Sequence, residues 1–383
     1  MTGDPIGTTA HVPPGFTTNL APWEDGLRAA VGPDTYEWWY FDAILFDQHN
    51  EKYTCTIIFF SNRPFVWSGQ VRPAVRFTLS KPNGHFVRCH DEFEPGEFRQ
   101  PPPPKGLDLR VGDNTAQGDL STIVISAQGQ GDVYDESMKH VGQKESIGAE
   151  LTFTALMPAY RIGPATKTLP KFTTDQVIMP SGTAEGTITV GTETVHVSGN
   201  CYHDHQWGPC LGNLDNSAGK AGAQAANTSY AAFEALSSEA GAESIREAPD
   251  GSVTKAYWYW GHFTAGDYAG DFALVYLSGV FMSNYSSFLL GKGEEILILD
   301  QDPTQFEMTK THADWVLSWS HQYQNLQQPD SITATFSNPS IIGFADDGYR
   351  RYGSRKMTLE GTINGTPVNE TGHVLWEYFP LNF

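Results

Sequence analysis

Basic residues are scarce in this chain: 24 Lys and Arg stand against 44 Asp and Glu, a formal net charge of -20 at pH 7. A surface of that sign is repelled by a phosphate backbone or an anionic membrane, so no nucleic-acid partner is expected. Long apolar runs are missing as well. None approaches the roughly 20 residues that a membrane helix needs, so no membrane insertion is expected. The opening stretch MTGDPIGTTAHVPPGF has neither the basic nor the apolar region of a secretory leader. Cysteine is rare, and Cys55, Cys89, Cys201 and Cys210 show no Cys-x-x-Cys zinc spacing. There is no nucleophile elbow, phosphate loop, His-Glu-x-x-His or dinucleotide fingerprint. The chemistry therefore has to come from ordinary side chains, with no cofactor expected.

What the chain has in quantity is aromatic residues, 13% of 383 positions, with plentiful Gly and Pro and recurrent Val/Ile/Thr/Tyr/Phe runs. This is an all-β composition. The length exceeds one compact core and predicts two domains. Short β-rich runs such as YEWWYFDAILF, YTCTIIFFS, AVRFTLS and GAELTFTAL are separated by turn residues, with no helical period between them, the signature of a sandwich or barrel. The expected layout is an extended arm over 1–31, a β-sandwich or lipocalin-like domain over 32–210, a Gly/Ala/Ser/Asn-rich linker or excursion loop over 211–254, and a second lipocalin-like β-barrel over 255–383. A short helix is expected within YAAFEALSSEAGAESIREA, and the last strand, GHVLWEYFPL, is expected to close the second barrel. GKGEE reads as a hairpin tip.

The densest chemistry lies in CYHDHQWGPC, residues 201–210. Side chains alternate along a strand, so Tyr202, Asp204 and Gln206 share one face while His203, His205 and Trp207 share the other. His203 and His205 form a His-x-His pair, but Gln206, Trp207, Gly208 and Pro209 follow where a carboxylate ligand is needed, so no metal site is expected. Asp204 has two readings. In an apolar cavity desolvation keeps a proton on it, making it a general acid; at a strand end it can simply bond turn amides. In YEWWYFDA, Glu37, Trp39 and Phe41 oppose Trp38, Tyr40 and Asp42, so both faces are aromatic and both are expected to be buried. AYWYWGHF repeats the theme with Trp258, Trp260 and His262 on one face. Core packing accounts for many of these rings, yet an aromatic-walled cavity suits a rigid unsaturated ligand.

The motifs YEWWYFDA, GNCYHDHQWG and WYWGHF, in that order over nearly the whole chain, resemble those of the carotenoid hydratase (hydroxyneurosporene synthase-like) and AttH-like superfamily. That resemblance implies two consecutive lipocalin-like domains. It also brings in the fungal Diels-Alderases and hetero-Diels-Alderases of the group. In the hydratases a Tyr-x-Asp segment supplies the acid that protonates a terminal double bond, and it maps onto Tyr202 and Asp204. Their upstream His-x-Trp-x-Pro corresponds to QVIMP, which carries Gln176 and Ile178 instead. The resemblance thus points to a cofactor-free cyclase of terpenoid or polyketide biosynthesis, with hydration of an isoprenoid alkene and simple carriage of an apolar metabolite as alternatives. Asp204, Tyr202, His205 and His262 are the candidate hydrogen-bond donors. Trp38, Tyr40, Trp207, Trp258, Trp260, Trp376 and Tyr378 are the candidate pocket walls. A Cys201–Cys210 disulfide could brace the turn, and two disulfides in all are possible. The partner expected is an apolar small molecule, bound by a monomer or homodimer. The four cysteines and the sequons at Asn227, Asn284, Asn364 and Asn369 fit a secretory route, while buried free thiols would fit the cytosol.

Overall fold

A computed structural model of the chain describes residues 17–28, 31–32, 35–62, 71–102, 104–135, 139–162, 175–209, 256–277, 283–300, 306–310, 314–321, 330–337, 340–344, 351–363 and 365–381. The expected helix within 230–248, and with it the linker 211–254, lies outside the described residues. Among those described, the regular structure is strand, apart from two single 3-10 turns at Pro22–Asp25 and Pro95–Glu97.

The first sheet is built from β1 (Thr35–Asp47), β2 (Lys52–Asn62), β3 (Ala74–Ser80), β4 (Phe86–Glu92), β5 (Phe98–Arg99), β6 (Leu107–Val111), β7 (Asn114–Asp119), β8 (Thr122–Tyr134), β9 (His140–Ala155), β10 (Tyr160–Ile162), β11 (Asp175–Val190) and β12 (Glu193–Pro209). Because β9 pairs with both β8 and β11, the circuit β11-β12-β1-β2-β3-β4-β8-β9 closes on itself as an eight-stranded antiparallel barrel. The β1–β2 hairpin turns through Asn50, whose positive φ of 60° suits the short polar side chain of Asn.

The second sheet takes β13 (Ala256–Ala265), β14 (Tyr268–Leu277), β15 (Ser283–Lys292), β16 (Glu295–Asp300), β17 (Phe306–Lys310), β18 (Asp314–His321), β19 (Asp330–Ser337), β20 (Ser340–Phe344), β21 (Arg351–Ile363) and β22 (Thr366–Leu381). The last strand pairs with the first, β22 against β13, but the order runs out at β16 and β17, leaving a half-barrel among the described residues. GKGEE is a hairpin tip, with Gly293 at φ 58° between β15 and β16. The chain is thus all-β, two consecutive lipocalin-like antiparallel units.

Alternation divides the apolar side chains into three clusters. Trp39, Phe41, Ala43 and Leu45 of β1 fill the first barrel with Phe59, Phe77 and Phe153. Phe263, Phe272, Phe288, Val374 and Trp376 fill the second unit. Tyr40, Ile44, Ile58, Phe60, Tyr160, Ile178 and Tyr202 of the first unit pack against Ala269, Leu289, Ile296 and Leu375 of the second. The outer face of β1 is therefore not solvated: residues 38–45 have an aromatic or aliphatic partner on both sides, as the two-faced aromatic pattern requires.

The segment before β1 is tied into the barrel. Asp25, fully buried, lies 3.0 Å from His203 Nε2 and 3.4 Å from His205 Nδ1, and its carbonyl accepts the Trp39 indole N–H at 3.0 Å. Glu24 holds Arg161 at 2.7 Å, and Thr17 bridges to the backbone of the same residue.

The cysteines do not brace the fold. Cys55, Cys89 and Cys201 are free buried thiols, so the two disulfides considered from sequence do not form among them. Cys210 lies outside the described residues, but Cys201 through Pro209 is one continuous stretch of β12, paired residue by residue with Ala43 through Thr35. Eight steps of extended strand carry the chain about 26 Å away from Cys201, and a disulfide tolerates a Cα separation of only about 4.4–6.8 Å. The anticipated Cys201–Cys210 brace is therefore excluded by the strand itself.

Removing the Asp25 carboxylate leaves the buried His203 without its acidic partner and His205 with Glu37 alone, the costliest kind of change in a buried pair. Asp25→Ala is expected to destabilise the protein by about 3–5 kcal/mol, read as a fall in the urea midpoint of unfolding. Arg161→Gln, on a partly exposed pair, is expected to cost roughly 1 kcal/mol or less.

Candidate functional site

Register places the sequence motifs against one another. β12 pairs with β1 so that Tyr202 faces Asp42, Asp204 faces Tyr40 and Gln206 faces Trp38. On the far side of β12, Ile178 faces Asp204. In the second sheet His262 faces Asp271 on β14 and Leu375 on β22. Residues on these rows share a face, and the two faces meet between the sheets.

The meeting is polar at its centre. His262 Nε2 stands 2.6 Å from Asp42 Oδ1, and both residues are buried. Among the described residues neither Asp42 oxygen accepts a hydrogen bond of good geometry. The Tyr160 hydroxyl donates to Asp271 Oδ2 at 3.0 Å, and Asn200 Nδ2 donates to Thr264 Oγ1 at 2.9 Å. Tyr202 stacks on the His262 ring at 4.9 Å and meets Trp260 edge-on at the same distance, while Tyr40 meets Trp260 at 5.2 Å. Gln206 Nε2 donates to Asp204 Oδ1 at 3.3 Å.

Two carboxyls in this zone titrate near neutrality. Burial pushes Asp204 up to about 7 against the opposing pull of His203, Tyr202 and Trp38. Burial likewise pushes Asp271 up to about 7, opposed by the Tyr160 hydrogen bond and by His262. Tyr202 is held well above the ordinary phenol range by burial, then by Asp204, Asp271, Tyr160 and Asp42. Desolvated carboxyls that keep a proton at pH 7 are competent general acids. Aromatic rings beside them accommodate an unsaturated, apolar partner.

The histidines of β12 serve the opposite face. His203 Nδ1 donates to the Tyr40 carbonyl at 2.9 Å while its Nε2 faces Asp25, and the ring stacks on Phe41 at 4.4 Å. His205 Nε2 lies 2.7 Å from Glu37 Oε1, and the ring stacks on Trp39 at 4.6 Å. Burial alone would lower the His205 pKa, but Asp25 and Glu37 together raise it. Asp25, for its part, is held down at about 2: burial opposes this, and the two histidines outweigh it. All four side chains of this network are buried.

Of the residues singled out from sequence, Tyr202, Asp204, His262, Trp38, Tyr40 and Trp260 converge between the sheets. His205 and Trp207 do not: they point to the arm, where the Arg28 guanidinium lies 4.6 Å over the Trp207 ring. Trp376 packs in the core of the second unit. The side chains of Trp258 and Tyr378 lie outside the described residues. Asp271 and Tyr160 carry no signal in the sequence because they sit in short, motif-free stretches; strand parity puts Asp42 on the correct face but assigns it no role. No group of His, Cys, Asp and Glu among the described residues is arranged to hold a metal ion. A shallow groove lined by Leu27, Val31, Pro95, Phe98 and Gln100 shares no residue with this cluster.

Neither a protein-family model nor a curated protein matches the sequence. Solved structures do match in fold. An AttH-type protein from Nitrosomonas europaea is similar over 96% of this chain and 98% of its own, at 14% identity and a TM-score of 0.51. Kievitone hydratase from Nectria haematococca is similar over 93% of each chain, at 14% identity and a TM-score of 0.48. At this identity the likeness to the AttH-type protein is one of fold: the chain shares the two-unit lipocalin-like architecture.

A folded-state pKa above the unfolded value stabilises below the unfolded value and loses that contribution as pH rises through the folded one. For Asp204 and Asp271 the window is therefore about pH 4 to 7. Replacing both by Asn removes the dependence. The unfolding free energy of the wild type, from urea titration, is expected to fall relative to that of Asp204→Asn/Asp271→Asn between pH 4 and 7, by up to about 4 kcal/mol per carboxyl. Parallel curves would show that these acids are ionised throughout.

Proposed function

We propose that the chain is a cofactor-independent cyclase that closes a ring on an apolar, unsaturated substrate of the terpenoid or polyketide kind, in an intramolecular or hetero-Diels–Alder manner. One observation carries the reading: Asp204 and Tyr202 lie buried beside Trp38, Tyr40 and Trp260, with Asp204 titrating near 7. A pericyclic closure requires no nucleophile. It requires the reacting ends held in a near-attack pose and a donor aimed at the carbonyl or quinone methide that gains electron density. A protonated Asp204 is such a donor, Tyr202 is a second, and the rings shape the space. The resemblance of the aromatic motifs to those of the hydratase and Diels-Alderase superfamily supports the same reading, as does the fold.

Hydration of an isoprenoid alkene is the second reading, favoured by the buried Asp42–His262 pair, a carboxyl–imidazole contact of the kind that takes a proton from water. Against it stands Ile178, buried opposite Asp204, which offers no polar atom to orient a water there.

Deleting the gene and comparing metabolites by mass spectrometry separates the readings. A lost product equal in mass to the accumulated intermediate, or to the sum of two, identifies a cyclase; a product heavier by one water identifies a hydratase; an unchanged profile favours a carrier. With the accumulated compound as substrate, Asp204→Asn/Tyr202→Phe is expected to lower kcat by about 100-fold or more. Full turnover and unchanged stereochemistry in the folded double variant would refute the role given to these two residues.

A further inference from the structure

The groove beside the arm is built like a second binding site. Its volume is about 510 Å³, inside the range of roughly 300–1,000 Å³ usual for small-molecule sites. Leu27 and Val31 of the arm form one wall; Pro95, Phe98, Arg99 and Pro101, around the Pro95–Glu97 turn and β5, form the other. Val31 is 41% exposed, a large apolar side chain left open beside other apolar groups. Both walls are fixed before any ligand arrives. Leu27 and Phe98 pack against the core of the first barrel, the Phe98 ring 6.3 Å from that of Trp39. On either side of Leu27 the backbone is tied: Gly26 N donates to the Trp23 carbonyl at 3.0 Å and Arg28 N to Glu37 Oε1 at 2.7 Å. Opposite, the buried Gln100 amide donates to the Pro101 and Gly106 carbonyls at 3.2 and 3.0 Å and accepts the Asp108 N–H at 3.1 Å. The two walls also touch, since a Cβ on Gly26 would stand 2.6 Å from the Lys105 carbonyl oxygen. A ligand entering a site already formed loses little to reorganisation.

Charge at the groove is the second observation. Arg99 is exposed, and among the described residues no acceptor engages its guanidinium. The acids of the adjoining turn are already engaged: Glu94 pairs with Arg72 at 3.8 Å, and Glu97 Oε2 accepts the Glu94 N–H at 2.9 Å. Arg110, the register partner of Arg99, is itself held by the Gly112 carbonyl at 2.7 Å and by Asp113 at 3.2 Å. The long-range field of a chain with net charge -20 repels anions, so a cation without a counter-ion beside an apolar groove is a local selector for one.

We propose that this groove binds an amphipathic monocarboxylic acid, its alkyl or aryl body between Leu27, Val31, Pro95 and Phe98 and its carboxylate on the Arg99 guanidinium. A guanidinium takes a planar carboxylate through paired N–H donors. Because this one faces water, the ionic contact selects the acid, and burial of the body against the apolar walls supplies most of the affinity. The site shares no residue with the cluster around Asp204, so it stands independently of the chemistry assigned there.

Isothermal titration calorimetry of the full chain with phenylbutyrate and with its neutral primary amide tests this. The wild type is expected to bind one equivalent of the acid, with a Kd about fivefold below that of the amide or lower. Arg99→Gln is expected to bring the two Kd values together by weakening the acid alone. Val31→Glu, which sets a like charge in the apolar wall, is expected to weaken acid binding by about tenfold or more. Both positions are exposed, so circular dichroism is expected to match the wild type. Acid binding that survives both substitutions in folded protein places the ligand elsewhere and overturns the inference. A wild-type acid-to-amide ratio near one, or no heat of binding with the acid, overturns it as well. Should either variant fail to fold, the wild-type ratio still decides.

Discussion

The burial of the β1–β12 pair on both faces is the constraint from which the rest of this molecule follows. A strand pair on the wall of a lipocalin-like barrel ordinarily shows one face to the core and one to water. Here the second unit covers the outer face, so every side chain from Trp38 to Leu45 needs a packing or polar partner. Trp39, Phe41 and Ala43 find theirs in the barrel; Tyr40, Asp42 and Ile44 find theirs in β13, β14 and β22. The interface between the units and the interior of the first barrel are therefore separated by the thickness of a single sheet.

That one sheet carries two polar systems with opposite characters. On the barrel side Asp25 and Glu37 meet His203 and His205; the two histidines hold the Asp25 carboxyl down, and the two carboxyls raise His205. This network anchors the N-terminal arm. On the interface side carboxyls are in excess: Asp42, Asp204 and Asp271 share that zone with His262. Burial disfavours the charged carboxylate, and that is what raises Asp204 and Asp271.

Much of this division is legible from two-residue periodicity alone. In CYHDHQW the parity of the strand by itself separates Tyr202 and Asp204 from His203 and His205, and in YEWWYFDA it separates Asp42 from Glu37. Which face meets the second unit is not legible, because both are aromatic and both are buried. By sequence His205 and Trp207 are as eligible as Asp204; what sets them apart is Asp25, 178 positions before His203, which closes on the two histidines from the arm. Asp271 and Tyr160 are invisible for a related reason: they owe their environment to pairing between strands distant in sequence, and 111 positions separate them. The closed circuit through β9 is hidden in the same way, since a strand that pairs on both sides looks in sequence like any other.

The same electrostatics decides which of the two systems can do chemistry. A proton donor is useful near neutral pH only when its pKa lies close to that pH, because a stronger acid has already lost its proton and a much weaker one does not release it. Asp25 at about 2 is spent, and His205, raised by two carboxylates, holds its proton against them. Asp204, at about 7 and beside a phenol whose own proton is held by burial, satisfies the condition. The excess of acids over bases between the sheets, a poor arrangement for stability, is the arrangement that a general acid needs. A substrate that brings no positive charge leaves it intact, whereas a cationic one would draw the protons out.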